Sequence, residues 1–183
     1  MRKQIVAGNW KMNMNVNEAK ELFDSINDIE ISNHTTVIIA PPSIYLSSFR
    51  SNNENIFMSS QNVSNKDSGA YTGEISVDML LECNVEYVII GHSERRQLFN
   101  EKNDLINKKV LRVLESGIKP ILCVGETIDE MNAGKAYNII EEQLISGLNS
   151  IKSLSNIIIA YEPVWAIGTG LNASVEQIND VHG

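Results

Sequence analysis

The sequence predicts an α/β fold built on a parallel sheet, and two observations carry this prediction. Six short apolar runs rich in Val and Ile recur along the 183 residues, and amphipathic stretches with helical spacing separate them. Runs that are apolar on both faces indicate strands covered on both sides, and the alternating order requires right-handed crossovers. An open doubly wound sheet and a closed barrel both satisfy this order. No run is followed by a spaced-glycine dinucleotide fingerprint, which favours the barrel.

The strands and helices can be placed along the chain from these patterns. The predicted strands are Gln4–Gly8, Thr36–Ala40, Ile56–Ser59, Glu86–Ile90, Pro120–Val124 and Ile157–Tyr161. Apolar spacing predicts long helices over 19–29, 105–114 and 136–151, and shorter ones over Ser43–Arg50 and Ser76–Asn84. Asn15 or Asn17 suits the first N-cap, and Gly117 suits the end of the second long helix. A capping-box pattern at Ser174 and Gln177 predicts a further helix that begins near Val175.

Composition and charge restrict the classes of partner. The chain has 15 Lys and Arg against 23 Asp and Glu, a formal charge of −8, which argues against nucleic acid or an anionic membrane as partner. No apolar run reaches the roughly 18 residues of a membrane span, and the first ten residues lack a signal-type apolar core. Cys83 and Cys123 lie far apart and predict free thiols, so we expect a cytoplasmic protein. With no linker in the chain, we expect a single domain over residues 1–183.

The residues just after the predicted strands are the candidates for chemistry, because active sites of parallel α/β proteins lie at the carboxyl ends of the strands. Asn9 and Lys11 follow the first strand, His92 follows the fourth, and Glu162 follows the sixth. A cation, an imidazole and a carboxylate are the parts of a proton-transfer site for an anionic substrate. The structural alternatives are a solvated loop lysine and a histidine bonded to its own loop. Burying the Glu162 carboxylate at the end of an apolar strand costs free energy, which favours a partner or a function for it.

Other polar residues near strand ends have simpler interpretations. Glu126 also follows a strand, but the polar stretch after it favours a role in capping the next segment. Glu94, Arg95 and Arg96 together predict a salt-bridged or solvated cluster. Cys123, inside a strand, is predicted to lie in the core.

The segment Pro163–Gly170 combines a proline, a tryptophan and two glycines. This mixture predicts a lid that folds over a ligand and offers backbone N–H groups to a phosphate. The alternative is a structural loop that holds a buried Trp165.

Five segments match the motifs of a known family in order and spacing. They are AGNWKMN (7–13), GAYTGE (69–74), IIGHSERR (89–96), CVGE (123–126) and AYEPVWAIGTG (160–170). Together they resemble the triosephosphate isomerase family. This resemblance implies a (β/α)₈ TIM barrel, of which about six βα units are present. It also implies interconversion of dihydroxyacetone phosphate and D-glyceraldehyde 3-phosphate through an enediolate, a step of glycolysis and gluconeogenesis.

The resemblance also assigns expected roles. Glu162 matches the general base, His92 the electrophile that polarises the carbonyl, and Lys11 the cation that holds substrate charge. Asn9 lies beside Lys11 in the substrate pocket, and Gly168 matches a lid glycine whose amide contacts the phosphate.

Further positions match supporting parts of the family. Ser93 and Glu94 match positions that support the catalytic groups. The segment Gly69–Glu74, with Thr72, resembles the loop of the family's homodimer interface. The resemblance implies no metal and no cofactor.

The sequence departs from the family in two places. Leu171-Asn172-Ala173 follows Gly170 where many members carry a lysine first, so the far hinge of the lid is expected to differ. The seventh and eighth strand–helix units, which carry phosphate-binding amides in the family, are absent, so we expect a C-terminally truncated chain, and the sequence leaves open whether that chain is active or inactive. The alternative to an isomerase is a non-catalytic truncated paralogue that acts only as an interaction or dimerisation protein.

Overall fold

The fold is a six-stranded parallel sheet whose strands follow one another in chain order. The computed structural model describes residues 3–167, 169–170 and 172–182. The strands are β1 (Gln4–Asn9), β2 (Thr35–Ala40), β3 (Ile56–Ser60), β4 (Tyr87–Ile90), β5 (Lys119–Val124) and β6 (Ile158–Tyr161). Each predicted strand is confirmed to within one residue at either end.

The strand order decides between the two closures. Each strand pairs in parallel with the next along the chain, from β1 with β2 to β5 with β6. A doubly wound sheet reverses its strand order near the middle, whereas a barrel does not. The sheet is therefore of the barrel type, as the missing dinucleotide fingerprint indicated, and it comprises six consecutive units.

The helices lie between the strands, with few departures from the sequence pattern. They are α1 (Val16–Asn27), α2 (Val77–Glu82), α3 (Ser93–Leu98), α4 (Asn103–Glu115), α5 (Ile128–Asn132), α6 (Ala136–Gly147) and α7 (Val175–His182). Segments of 3₁₀ helix occupy Ser43–Ser48 and Val164–Ala166. The six-residue α3 and five-residue α5 were not predicted, because their mostly polar sequences, SERRQL and IDEMN, show no apolar period. Among the described residues, no helix has the length and apolar character needed to cross a bilayer.

The predicted helix ends have identifiable causes. Asn15 caps α1 in a capping box with Glu18, and Ser174 and Gln177 exchange the predicted bonds at the start of α7. Gly117, with φ +84°, follows α4 at the predicted stop.

Buried apolar side chains cover both faces of the sheet. On the helix side, Val88, Ile90 and Leu122 pack in one cluster with the apolar face of α4. On the other face, Ile38, Ile89 and Ile121 form a second cluster. Alternate residues of β4 thus enter opposite clusters, as the two-residue period of a strand requires.

The first strand departs from the prediction that it is covered on both faces. Ile5 and Val6 are 45% and 58% exposed, and every residue of β1 before Asn9 is exposed. Within the described part of the chain, β1 pairs only with β2 and so forms an edge of the sheet. Its apolar composition is that of an inner strand, but within the described residues little packs on its two faces, which leaves its side chains exposed.

Candidate active site

Three strand ends deliver the predicted chemical groups to one cavity. Lys11, His92 and Glu162, from beyond β1, β4 and β6, all line a cavity of about 320 Å³. Asn9 lines it too, and the second apolar cluster, which includes Ile38, Ile89 and Ile121, forms its apolar walls. A second cavity of about 440 Å³ lies alongside and shares Asn9, Lys11 and His92. The structure therefore brings together, on one cavity, the side chains that the strand ends predicted to lie close to one another.

A short hydrogen-bonded chain links the imidazole to the carboxylate. His92 Nε2 lies 3.0 Å from Glu162 Oε1, and the Ser93 amide donates to Glu162 Oε2 at 3.1 Å. The Glu94 amide donates to His92 Nδ1 at 3.2 Å, so Nδ1 acts as an acceptor and the ring proton sits on Nε2. His92 is thereby the N-cap of α3. This contact orients the ring so that Nε2 faces Glu162 on the wall of the cavity.

The pKa of Glu162 reflects opposing effects. Burial raises this pKa, but the hydrogen bond from His92, electrostatic attraction to the ring and the Ser93 amide together outweigh burial and lower it. The side chain is 18% exposed. Glu162 is therefore a carboxylate at neutral pH while these contacts last.

Lys11 is held by its backbone on both sides. Its φ is +53°, a left-handed conformation that is uncommon outside glycine. Its amide donates to Asn9 Oδ1 at 3.0 Å, and its carbonyl accepts from Gln61 Nε2 at 3.0 Å. Its Nζ donates to Glu94 Oε1 at 2.8 Å, an ion pair that is more than one-third exposed and so adds little stability. Gln61 was missed by the sequence argument, although it follows β3 at the same edge of the sheet.

The prediction that Glu126 caps the next segment is wrong. Thr127 caps α5 instead, in a capping box with Glu130. Glu126 is 1% exposed, and its Oε1 accepts from Tyr161 Oη at 3.1 Å and from Trp165 Nε1 at 2.8 Å. A buried indole N–H requires an acceptor, and this carboxylate supplies it. Glu126 therefore ties the start of the Pro163–Gly170 segment to the end of β5.

Glu94 and Arg95 do form salt bridges, as predicted, but the prediction that they cluster with Arg96 is wrong. Glu94 binds Lys11, Arg95 binds the buried Glu101 at 2.7 Å, and Arg96 donates to backbone carbonyls at the ends of β4 and β5. Consecutive residues of α3 project in different directions, so neighbours in sequence reach different partners.

Part of the predicted lid and phosphate contact cannot be placed. Gly168 and Leu171 lie outside the described residues, and their expected roles stay predictions. Trp165 is 8% exposed, as expected for a loop built around a buried tryptophan, and its carbonyl accepts from Thr169 Oγ1 at 2.8 Å. Cys123 is buried in β5 as predicted, and burial raises the pKa of its thiol.

The loop 69–74 is exposed beside the second cavity. Gly69 and Gly73 have φ of +127° and +90°, and Tyr71 is 46% exposed. Gly73 and Glu74 line the 440 Å³ cavity. Among the described residues, no group of His, Cys, Asp and Glu side chains is arranged to hold a metal ion.

Comparison with known proteins identifies the family. The model of the family described as triosephosphate isomerase matches residues 4–183. Proteins named triosephosphate isomerase from Alkaliphilus oremlandii, Mesomycoplasma hyorhinis and Prosthecochloris aestuarii are 42%, 44% and 47% identical to it. The matches cover 99–100% of this chain and 74–76% of those proteins. With its six consecutive parallel strands and a match over nearly its whole length, the chain belongs to the triosephosphate isomerase family of enzymes.

Proposed function

We propose that this protein interconverts dihydroxyacetone phosphate and D-glyceraldehyde 3-phosphate, with Glu162 as the base, His92 as the electrophile and Lys11 as the cation. The observation that carries this proposal is the 3.0 Å contact between Glu162 and His92 in the cavity that Lys11 also lines. A carboxylate and an N–H donor on one small cavity suit proton abstraction beside a carbonyl. The names of the related proteins supply the phosphorylated triose as substrate.

Substrate binding would convert Glu162 into a stronger base. The substrate carbonyl needs the N–H that His92 now donates to Glu162, so binding removes that hydrogen bond from the carboxylate. Burial raises the pKa of Glu162, and without the His92 hydrogen bond fewer contacts lower it, so the pKa rises. Glu162 is therefore held as a carboxylate in the ligand-free protein and becomes more basic when the substrate binds.

The other two groups would stabilise the enediolate. As Glu162 removes the proton, negative charge develops on the carbonyl oxygen, and the His92 N–H and the Lys11 ammonium lie around the same cavity. Donors fixed in advance in a cavity with apolar walls stabilise such charge more strongly than water does. His92 can then pass its proton between the two enediolate oxygens, and Glu162 returns the abstracted proton to the neighbouring carbon.

We also propose a cytoplasmic homodimer that assembles through the loop Gly69–Glu74. Met12 and Phe99 are 96% and 64% exposed and line the 440 Å³ cavity beside this loop. Exposed apolar side chains around a groove suit burial against a second copy. Sedimentation equilibrium at micromolar protein would test this assembly, and a strictly monomeric protein would contradict it.

The test of the catalytic proposal is Glu162→Asp, measured in both directions of the isomerisation. One methylene fewer retracts the carboxylate by more than 1 Å, so kcat should fall about 100-fold or more while KM changes by only a few-fold. Glu115→Asp on the exposed end of α4 is the matched control and should leave kcat unchanged.

Two outcomes would contradict the proposal. An unchanged kcat in Glu162→Asp removes this residue from the role of base. A folded, dimeric protein without isomerase activity would instead favour a protein that acts only through association.

A further inference from the structure

Arg96 is a polar side chain near the site that the proposed reaction does not use. It lies on α3, four residues after His92, and it donates three hydrogen bonds. Nε donates to the Gly91 carbonyl at 2.7 Å, Nη1 to Asn103 Oδ1 at 2.7 Å, and Nη2 to the Cys123 carbonyl at 3.1 Å. Two of its three partners are therefore backbone groups.

One of these carbonyls lies at the strand end that carries His92, and the other lies on the strand that pairs with the one carrying Glu162. Gly91 joins β4 directly to His92. Cys123 pairs in register with Ala160 of β6, two residues before Glu162. The Arg96 guanidinium thus donates to the residue before His92. It also donates to β5, the strand that pairs with β6 and so lies beside Glu162.

The turn at Gly91 is built around the guanidinium. Its φ of +71° lies in the left-handed region, and a Cβ there would lie 3.1 Å from Arg96 Nη2 and from Ile106 Cδ1. The turn that leads the chain from β4 to His92 therefore packs directly on Arg96, and a shift of one would move the other.

The charge of Arg96 is not paired with any carboxylate that the structure describes. In the described part of the chain no Asp or Glu oxygen lies within ion-pair distance of its guanidinium, although the neighbouring Arg95 pairs with Glu101. Burial lowers the pKa of Arg96, while nearby Cys123 and Glu162 raise it. A partly buried cation is costly, and its hydrogen bonds here go to neutral oxygens. A role in surface ion pairing is excluded, and a geometric role accounts for the arrangement.

We propose that Arg96 is a positioning residue whose guanidinium ties the end of β4 to the end of β5 and thereby holds His92 Nε2 at hydrogen-bonding distance from Glu162. Only the expected effect on turnover rests on the proposed function, since the contact itself exists without substrate. Three bonds in one plane require a guanidinium, which lysine cannot replace. Arg96→Lys therefore keeps the positive charge but cannot form the three hydrogen bonds in one plane.

The experiment compares Arg96→Lys with Arg112→Lys, an arginine on α4 that pairs with Asp67. The first measurement is NMR of the His92 ring in the ligand-free protein, with ¹⁵N shifts that report which nitrogen carries the proton. The second is kcat and KM for the isomerisation. In Arg96→Lys we expect the His92 Nε2–H signal to shift and broaden, and kcat to fall 10- to 100-fold with KM within about threefold. Arg112→Lys should match the wild type in both.

Each outcome decides the question. A folded Arg96→Lys with unchanged His92 signals and kcat overturns the proposal. If that variant does not fold, Asn103→Leu, which removes one of the three acceptors, should shift the same His92 signals, and unchanged signals overturn the proposal equally. If the wild type has no isomerase activity but Arg96→Lys still moves the His92 signals, the proposed function fails and the positioning role stands.

Discussion

Replacing Gly125 with alanine should impair catalysis through a steric clash with the backbone of Glu162. Gly125 follows β5 beneath Glu162, and a Cβ built on it would lie 1.8 Å from the Glu162 carbonyl oxygen. Its backbone is not in the left-handed region, so the effect is one of space rather than of conformation. Since Cβ atoms essentially never approach a heavy atom within 3.0 Å, the two backbones must separate by more than 1 Å.

The size of the effect follows from which residue moves. The displaced carbonyl belongs to Glu162 itself, whose side chain now lies 3.0 Å from His92 Nε2. A misplacement of about 1 Å costs roughly 100-fold in rate, or about 2.7 kcal/mol of activation free energy. We therefore expect kcat to fall by about that factor while substrate binding through Lys11 is largely kept.

The assay is steady-state isomerisation, with Gly134→Ala as control. Gly134 lies between α5 and α6 with φ +68°, and a Cβ added to it would meet no atom within 4 Å, so alanine there strains only the backbone. That variant should lose about 1–2 kcal/mol of stability and keep its kcat. Wild-type kcat in a folded Gly125→Ala protein would refute the reasoning.

Three further predictions concern buried polar groups. Trp165→Phe removes one of the two donors to Glu126 Oε1 and should lower the free energy of unfolding by about 1–3 kcal/mol in urea titrations. Lys109→Met leaves the buried Glu101 with Arg95 as its remaining cation and should lower the free energy of unfolding by about 1–3 kcal/mol in the same titrations. Because the folded-state pKa of Glu162 is lowered, its ionisation stabilises the fold fully above about pH 4.5 and progressively less as pH falls through the folded pKa. The stability of the wild type relative to Glu162→Gln should therefore decline on acidification below pH 4.5, and a constant difference between pH 6 and 3 would contradict this sign.

The fold could be predicted largely from apolar spacing. Runs such as Thr36–Ala40 and Pro120–Val124 are strands because their Val and Ile side chains can be buried on both faces. The short α3 and α5 could not be predicted, because their mostly polar sequences contain no apolar period. The exposure of β1 depends on which strands lie beside it, and local sequence does not encode that.

The site divides in the same way. Lys11, His92 and Glu162 could be placed together because parallel strands bring their carboxyl ends to one edge. The partners of Glu126 and Arg96 could not be predicted, because reaching an indole N–H or a backbone carbonyl requires knowing how distant segments pack. Hydrogen bonds between side chains are settled by tertiary contacts, whereas positions at strand ends are settled by chain order.

Chain order also has a consequence for synthesis on the ribosome. Because the strands are synthesised in chain order, Lys11 and His92 emerge well before Glu162. The interval is long, since 69 positions separate Ser93 from Glu162. At about 5–20 residues per second, translation needs roughly 3–14 s to cover that interval. Until the sixth strand has been made the nascent polypeptide lacks Glu162, so with the roles proposed above it has no base with which to isomerise a sugar phosphate.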